Sequence, residues 1–265
     1  MLHKNLKMAT SEKVGTGHIM TDYPPLPRLS NLISQQLGVD IVRGLYAPGE
    51  ALPTEMTLAK HWNISRSAVR EGICVLSSKG LVETRTKAGT IVTERARWNL
   101  LDPLLLSWMR LSDPDEPFMR ALLELRYIIE PQAAALAAKR RSDEDVEALQ
   151  RFLEVIQSQG RTEEAARRAD LQFHTTILKA AKNQTFVPLI DPIEASISWS
   201  QTYRAALNVD VRSSASSYAR IVEAIDRQDD AEARWQMEML IRSLMTIVGT
   251  QQRQAPANAP HVLTA

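Results

Sequence analysis

The sequence of 265 residues has one cysteine, Cys74, and no apolar run close to the roughly 18 residues that a membrane-spanning helix needs. A single thiol cannot form an internal disulfide, and residues 1–27 lack an apolar block long enough for a signal peptide. These absences predict a cytoplasmic protein. Cys74 is expected near the buried side of a helix, as a small core residue rather than a redox sensor.

The short motifs of several enzyme classes are also missing. The sequence has no Gly-x-Ser-x-Gly turn, no dinucleotide-binding glycine fingerprint and no His-Glu-x-x-His helix. Asp170 and His174 are four residues apart, so one helix would direct both to the same face. A metalloenzyme that uses this pair is the alternative from another class, but two ligands do not make a zinc site. A hydrogen-bonded pair on a helix surface is the simpler interpretation, and no enzyme is predicted.

The net charge of +1 conceals an uneven distribution. Residues 28–97 contain 10 Lys or Arg and 6 Asp or Glu, a surplus of four positive charges. Residues 98–250 contain 18 basic and 23 acidic residues, a deficit of five. A basic module that binds phosphates beside an acidic domain with another partner would show this asymmetry. Because the surplus is modest, a useful affinity for double-stranded DNA would need two copies, which predicts a homodimer.

Residues 52–76 have the pattern of two short helices joined by a tight turn. Thr54 and Ser65 are suitable N-caps, and Asn63 supplies the turn. Val69, Ile73 and Leu76 then form an apolar stripe on the second helix, and Arg66, Ser67 and Arg70 point away from it.

This second helix suits the major groove of DNA, where arginine can bind guanine bidentately and small residues allow a close approach. An ordinary amphipathic helix with solvated arginines is the alternative. Two β-prone runs at 81–84 and 90–92 flank a basic tip at 85–89, and residues 29–43 precede the pair with apolar residues near a helical period. Three helices and a hairpin in this order predict a winged helix-turn-helix. The apolar positions of the first helix are Leu29, Leu32, Ile33, Leu37 and Ile41.

These motifs resemble the DNA-binding domain of the GntR family of bacterial transcription regulators. The resemblance implies base contacts from Arg66 and Arg70, and phosphate or base-edge contacts from Ser65 and Ser67. Met56 stands where some members have another arginine, and Lys87-Ala88-Gly89 replaces the commoner Gly-x-Gly, so the operator sequence stays open. The expected DNA-binding set is Thr54, Ser65, Arg66, Ser67, Arg70, Lys87 and Gly89. The motifs are Val42-Arg43-Gly44, Tyr46-Ala47-Pro48-Gly49, Leu52-Pro53-Thr54-Glu55, Leu58-Ala59, Ser65-Arg66-Ser67-Ala68-Val69-Arg70-Glu71, Leu76 and Gly80-Leu81-Val82.

Residues 98–112 are too apolar for a free linker. Asp102 as N-cap and Pro103 at the first helical position start a short helix there. We expect this segment to pack against one or both domains and to transmit their relative orientation. Its Trp-Asn-x-Leu-Asp…Leu-x-x-Trp pattern resembles the linking region of galactonate-operon repressors within the family.

The remainder has helical patterns and few strand signals, which indicates an antiparallel bundle. It resembles the all-helical effector domain, of the FCD type, in the FadR branch of the family. The predicted fold is therefore mainly α, with an N-terminal winged helix-turn-helix domain and a C-terminal all-α antiparallel helical bundle. The predicted helices are 116–140, 142–159, 162–181, 185–207, 211–228 and 230–248. The predicted divisions are a disordered arm (1–27), the DNA-binding domain (28–97), the linker helix (98–112), the effector-binding and dimerisation domain (113–250) and a disordered tail (251–265).

Asp170-Leu171-Gln172-Phe173-His174 with Asn183 resembles the Asp-x-x-Phe-His…Asn segment of this branch. The resemblance implies a metal site in which two later histidines join Asp and His. Here Tyr218 and Leu240 take those two positions, so a three-histidine site is not expected. Asp170, His174 and Tyr218 would instead hydrogen-bond a polyhydroxylated ligand, or Asp170 and His174 would hold a divalent ion such as zinc, nickel or manganese weakly.

Arg126 matches an arginine on the first long helix of the effector domain in the branch. Its planar fork suits a carboxylate clamp, and a structural salt bridge to Glu130 at i+4 is the alternative. Trp199 or Tyr203 could form a stacking wall for a sugar acid, or pack in a dimer interface. They belong to an unusually polar and aromatic run with Ser196, Ser198, Gln201, Thr202 and Arg204.

The prediction for function is a ligand-responsive transcription regulator, expected to be a repressor. It binds operator DNA as a dimer and is released by a small organic acid, such as the sugar acid galactonate. The same fold sensing a hydroxy acid, an acyl-CoA or an amino acid is the alternative.

Overall fold

The computed structural model describes residues 29–112, 116–158, 163–206 and 211–251. The expected disordered arm, the helix start at Thr162 and the expected tail beyond residue 251 lie outside these ranges. Within them, the predicted fold class is confirmed: a winged helix-turn-helix precedes an all-helical bundle. Among the described helices, none is both long and apolar enough to span a membrane.

The N-terminal domain consists of three helices followed by a hairpin. Thr54 and Ser65 cap the second and third helices, as predicted, by accepting hydrogen bonds from the backbone N–H groups three residues later, both at 3.2 Å. Asn63 ends the second helix in the left-handed conformation, with φ 54°. The elements are α1 (Leu29–Val42), α2 (Glu55–Trp62), α3 (Arg66–Ser78), β1 (Val82–Arg85) and β2 (Gly89–Val92).

Close packing of α1 against α3 forms the centre of this domain. Ile33 on α1 lies so near Gly72 on α3 that a Cβ added to Gly72 would be 2.7 Å from its Cγ2 atom. Val69, Ile73 and Leu76 of the predicted stripe on α3 are buried. On α1, Ile33, Leu37 and Ile41 are buried, but Leu29 and Leu32 are exposed. The apolar side of α1 is therefore covered from Ile33 onward, and the two apolar residues of its first turn are exposed.

The hairpin pairs Val82 with Val92 and Arg85 with Gly89 in antiparallel register. Lys87 and Gly89 at its tip both have positive φ, 68° and 81°. Lys87 thus adopts the left-handed backbone that glycine usually supplies, which a lysine tolerates in an exposed turn at a modest energetic cost.

Helix α4 (Pro103–Arg110) connects the two domains and packs against both. The Asp102 side chain caps it through the N–H groups of Leu104 and Leu105, and it also forms an ion pair with Lys79 at 2.7 Å. Trp108 on α4 lies over Gly38 of α1, where an added Cβ would overlap the indole ring. Leu105, Leu106, Trp108 and Met109 are buried in the same cluster as the core of the winged helix, together with Phe118 and half-buried Trp199 of the bundle.

The C-terminal bundle contains six helices in the part of the chain that the structure describes. Ser142 and Asp145 make a capping box at the start of one of them, where a helix start was predicted. Two predicted helices begin later than expected, because residues Gln184–Leu189, which include Pro188, and Val211–Ser214 form 3₁₀ turns. The last helix continues to Gln251, past the predicted end at residue 248. The helices are α5 (Glu116–Arg140), α6 (Asp143–Gln157), α7 (Glu163–Ala180), α8 (Ile190–Ala206), α9 (Ala215–Asp226) and α10 (Asp230–Gln251).

The tight contact between α1 and α4 leads to a first prediction. Gly38→Ala should lower the free energy of unfolding by about 1–3 kcal/mol through overpacking against Trp108. A glycine-to-alanine change in a helix otherwise stabilises by up to about 1 kcal/mol, so the sign of the effect is diagnostic. Urea unfolding followed by fluorescence measures it.

The control is Gln35→Ala at an exposed position on the same helix. In a Trp108→Ala background, the penalty from Gly38→Ala should disappear. A stabilising effect of Gly38→Ala in the wild-type background would contradict this account of the contact.

Candidate DNA interface and buried ligand site

The outer face of α3 carries the two arginines that the sequence singled out. Arg66 and Arg70 are exposed beside Ser67, while Val69 faces the core. Cys74 lies one turn beyond Arg70 on this exposed face. The expectation that Cys74 is a buried core residue was wrong, because position 74 follows Arg70 at i+4 and so shares its side of the helix.

Arg70 is held by a carboxylate of its own domain. Its Nε and Nη2 atoms donate to the two oxygens of Glu55 on α2, at 3.0 and 2.9 Å. The hydrogen bond from Arg70 is the main cause that lowers the pKa of Glu55, and the charge of Arg66 lowers it further. The Arg70 side chain is nevertheless 64% exposed, so water screens this ion pair and a nucleic acid can reach the guanidinium.

The other residues of the expected DNA-binding set surround this face. Thr54 and Ser65 serve as helix caps, and the Ser65 and Ser67 hydroxyl groups are 3.0 Å apart. Lys87 and Gly89 are exposed at the hairpin tip.

Inside the bundle, a chain of ionic contacts joins three helices. The Nε atom of Arg126 on α5 donates to Oε1 of Glu130 at 2.5 Å, and the other oxygen of Glu130 contacts Nδ1 of His174 on α7. The Nε2 atom of His174 is 3.4 Å from Oδ1 of Asp170. Tyr218 on α9 donates its hydroxyl to the same Asp170 oxygen at 2.5 Å. The sequence-predicted residues Arg126, Asp170, His174 and Tyr218 are thus brought together, and each is at most 4% exposed.

The charges in this cluster determine its protonation. Burial would raise the pKa of Glu130, but the charges of Arg126 and His174 outweigh it and lower the pKa to about 2. Burial opposes a charge on His174, but the two carboxylates at its ring nitrogens raise its pKa. The pKa of Asp170 is lowered, against burial, by His174, Arg204 and Tyr218. Glu130 and Asp170 are therefore anions around a cationic imidazolium.

Several buried polar atoms have no hydrogen-bond partner in the part of the chain that the structure describes. They are Nη1 of Arg126, Oγ of Ser196, and Nε and Nη2 of Arg204, in addition to Nε of Arg141 elsewhere. Arg126 forms the salt bridge to Glu130 that was one of its two interpretations from the sequence. This salt bridge leaves the Nη1 atom of Arg126 without a hydrogen-bond acceptor among the described residues. Buried donors without acceptors are costly and rare in proteins, so each calls for an explanation.

Two members of this site, Gln201 and Arg204, belong to the polar run noted in the sequence but were not among the predicted effector residues. Gln201 donates to Oδ2 of Asp170 at 2.9 Å, and Arg204 is 3% exposed on the same helix, α8. The available signal was the spacing of Ser196, Ser200 and Arg204 at four-residue intervals, which directs one polar row into the bundle.

Two other predicted effector residues, Asn183 and Trp199, do not join the cluster. Asn183 caps the 3₁₀ turn through Thr185. Trp199 packs edge-to-face on Phe118, with ring centroids 5.9 Å apart, in the cluster around α4. The side chain of Tyr203 lies outside the described part of the chain.

The described residues do not fit a divalent ion at Asp170 and His174. Each ring nitrogen of His174 faces a carboxylate, and Nη2 of Arg126 is 3.5 Å from Nε2, where it would repel a metal ion. Leu240 is buried and offers no ligand atom, while the Tyr218 hydroxyl is a donor to Asp170. No group of three or more potential ligands with metal-binding geometry occurs among the residues described. The expectation of a weakly held ion is thus not met by this arrangement.

Two family descriptions match consecutive parts of the chain. Residues 29–92 match the bacterial regulatory proteins of the gntR family, and residues 121–243 match the FCD domain. A solved structure of Lar, described as controlling the expression of the Listeria monocytogenes agr system and mediating virulence, has a TM-score of 0.61 at 19% identity. The match covers 86% of this chain and 99% of that chain, and it supports the fold.

Curated relatives agree with these matches. A galactonate operon transcriptional repressor from Escherichia coli (strain K12) is 32% identical over 162 residues, 61% of this chain and 69% of the relative. The HTH-type transcriptional regulator LutR from Bacillus subtilis (strain 168) is 29% identical over 193 residues, 73% of this chain and 85% of the relative. The chain therefore belongs to the GntR family of transcription regulators, which are not enzymes, and carries an FCD domain behind its winged helix-turn-helix.

Proposed function

We propose that this protein is a repressor that binds operator DNA as a homodimer in the cytoplasm and leaves it when a small organic acid binds. The observation that carries the effector part is the buried Arg126 guanidinium with its unpartnered Nη1 atom. A carboxylate is the group whose two oxygens match this planar fork. The proposed effector is a sugar acid such as galactonate, in keeping with the name of the similar repressor from E. coli.

Arg66 and Arg70 support the DNA-binding part, because both extend from the first two turns of α3 into solvent. In this proposal they bind base edges in the major groove, and Arg70 exchanges Glu55 for a base. Thr54, Ser65, Ser67, Lys87 and Gly89 supply phosphate contacts around them.

A DNA-binding assay tests this assignment. The operator is first selected from a random DNA library with the wild-type protein, and binding is followed by fluorescence anisotropy. Arg66→Ala and Arg70→Ala should each weaken operator binding by about tenfold or more, because each removes a bidentate base contact. Wild-type affinity should fall steeply with salt.

Arg168→Ala is the matched control, since Arg168 is an exposed arginine on α7, far along the chain from α3. It should leave operator affinity unchanged. Sequence-specific binding that survives in both α3 variants would refute the proposed DNA contacts.

A second copy of the chain has an apolar face available in the bundle. Ile128 on α5 and Trp235 and Met239 on α10 are exposed. Two hydrogen bonds join α5 and α10 on either side of Ile128. Arg234 donates to Gln132, and the Tyr127 hydroxyl donates to Glu238. We propose this face for the homodimer, because a partner would cover its exposed apolar side chains. A dimer is expected because the modest positive surplus of one winged helix favours binding at two half-sites.

Sedimentation at micromolar concentration tests the dimer. Trp235→Glu places a charge in the proposed interface and should shift the protein toward monomer, whereas Arg168→Ala should not. A dimer that persists unchanged in Trp235→Glu would exclude this face.

Helix α8 offers a physical route between the two sites. One side carries Gln201, which donates to Asp170, and the other carries Trp199, which packs with Phe118 in the cluster around α4. We infer that a ligand at the buried cluster shifts α8, and through α4 the winged helices, between two arrangements with different operator affinity.

Thermal unfolding with a panel of acids tests the effector. D-galactonate should raise the unfolding temperature of the wild type, since a ligand at a hundredfold its Kd stabilises the folded state by about 2.7 kcal/mol. The same acid should weaken operator binding. Arg126→Lys retains the charge beside Glu130 but loses the planar fork, and should reduce the shift.

Arg120→Lys on the same helix is the control and should keep the full shift. If L-lactate or an amino acid raises the unfolding temperature and the aldonates do not, that carboxylate is the effector and the sugar acid is not. A full shift in Arg126→Lys would refute the clamp.

A further inference from the structure

All five buried charged side chains in the described part of the chain belong to one cluster. They are Arg126, Glu130, Asp170, His174 and Arg204. Because both ring nitrogens of His174 face carboxylates, the imidazole is a cation. Three cations and two anions leave one positive charge inside the bundle, an imbalance that burial makes costly.

Arg204 is the member of this cluster with the least compensation. Its Nε and Nη2 atoms are buried and without a hydrogen-bond partner among the described residues. Its charge lowers the pKa of Asp170. Burial raises the pKa of the Tyr218 hydroxyl, and the charges of Arg204 and Arg126 both oppose that rise. Two buried guanidinium groups, Arg204 on α8 and Arg126 on α5, are therefore both within electrostatic range of the Tyr218 hydroxyl.

Arg204 also ends a row of polar side chains on α8. Ser196 and Ser200 precede it at eight and four residues and are both buried. Ser200 donates to the carbonyl oxygen of Ser196 at 2.8 Å, but the Ser196 hydroxyl has no partner among the described residues. A buried hydroxyl without a partner, on the same row of α8 as Arg204, suits a hydroxyl group of the ligand.

We propose that Arg204 and Arg126 together bind the single carboxylate of a hydroxylated monocarboxylic acid. In this site the guanidinium of Arg204 provides the positive charge that a metal ion would otherwise provide. The inference rests on the function proposed above, in which the cluster holds the effector. It adds two specific features: binding needs no divalent ion, and one negative charge on the ligand matches the one excess positive charge of the cluster.

The test is calorimetry with the full-length protein, dialysed against EDTA and checked for metal content by mass spectrometry. D-galactonate is the probe, and its dicarboxylate analogue galactarate is the matched ligand. Galactonate should bind with the same Kd before and after EDTA treatment and after addition of zinc, nickel or manganese. Galactarate should bind at least about tenfold more weakly, because its second carboxylate has no buried cation.

Arg204→Gln should weaken galactonate binding by about tenfold or more, through loss of charged hydrogen bonds. Arg220→Gln, at an exposed arginine on α9, is the control and should leave the Kd unchanged. Without ligand, Arg204→Gln should be as stable as the wild type or more stable, because an uncompensated buried charge is removed. A purely structural role for Arg204 predicts lower stability in the unliganded protein.

The outcomes separate this inference from the proposed function. Galactonate binding that requires Arg126 but not Arg204, or that EDTA abolishes and metal restores, would overturn the inference and leave the effector site standing. If neither galactonate, D-gluconate nor L-lactate binds the wild type, both the effector proposal and the inference fail.

Discussion

The Glu130 carboxylate is the contact on which the interior of the bundle depends. It accepts from Arg126 on its own helix and from His174 on α7, so two cations are bound by one buried anion. Removal of either partner would leave one oxygen of this buried carboxylate without its donor, which is costly. The contact therefore fixes α5 and α7 relative to each other. It also sets the orientation in which Arg126 presents its remaining donor.

This arrangement explains how a stable bundle can hold atoms that are ready for a ligand. The alanines of α5 and the apolar residues of α9 and α10 fill the core around the cluster. The cost of the unpartnered donors on Arg126 and Arg204 is offset by that packing and by the Glu130 and Asp170 ion pairs. A ligand that satisfies the donors would gain hydrogen bonds that these atoms do not make within the described part of the chain.

Sequence patterns were sufficient for much of the winged helix, because its signals are local. The caps Thr54 and Ser65 and the stripe through Val69 depend only on neighbours a few residues away. Cys74 is exposed although cysteine favours the core, because its position at i+4 from Arg70 places it on the outer side of the helix. The four-residue spacing of Ser196, Ser200 and Arg204 indicates a polar row, but it does not show that Arg204 is buried and has unpartnered donors. Both are properties of the packed bundle.

The ion pair between Arg70 and Glu55 has a consequence for selectivity. In the free protein this arginine already has two well-oriented acceptors, so any DNA group that binds it must first displace the Glu55 carboxylate. The edge of a guanine presents two acceptors in a similar geometry but lacks the negative charge of the carboxylate. In the proposed DNA complex, Glu55 therefore competes with every group that Arg70 meets, and a group that orients two acceptors toward the guanidinium displaces it more readily than one that offers a single acceptor.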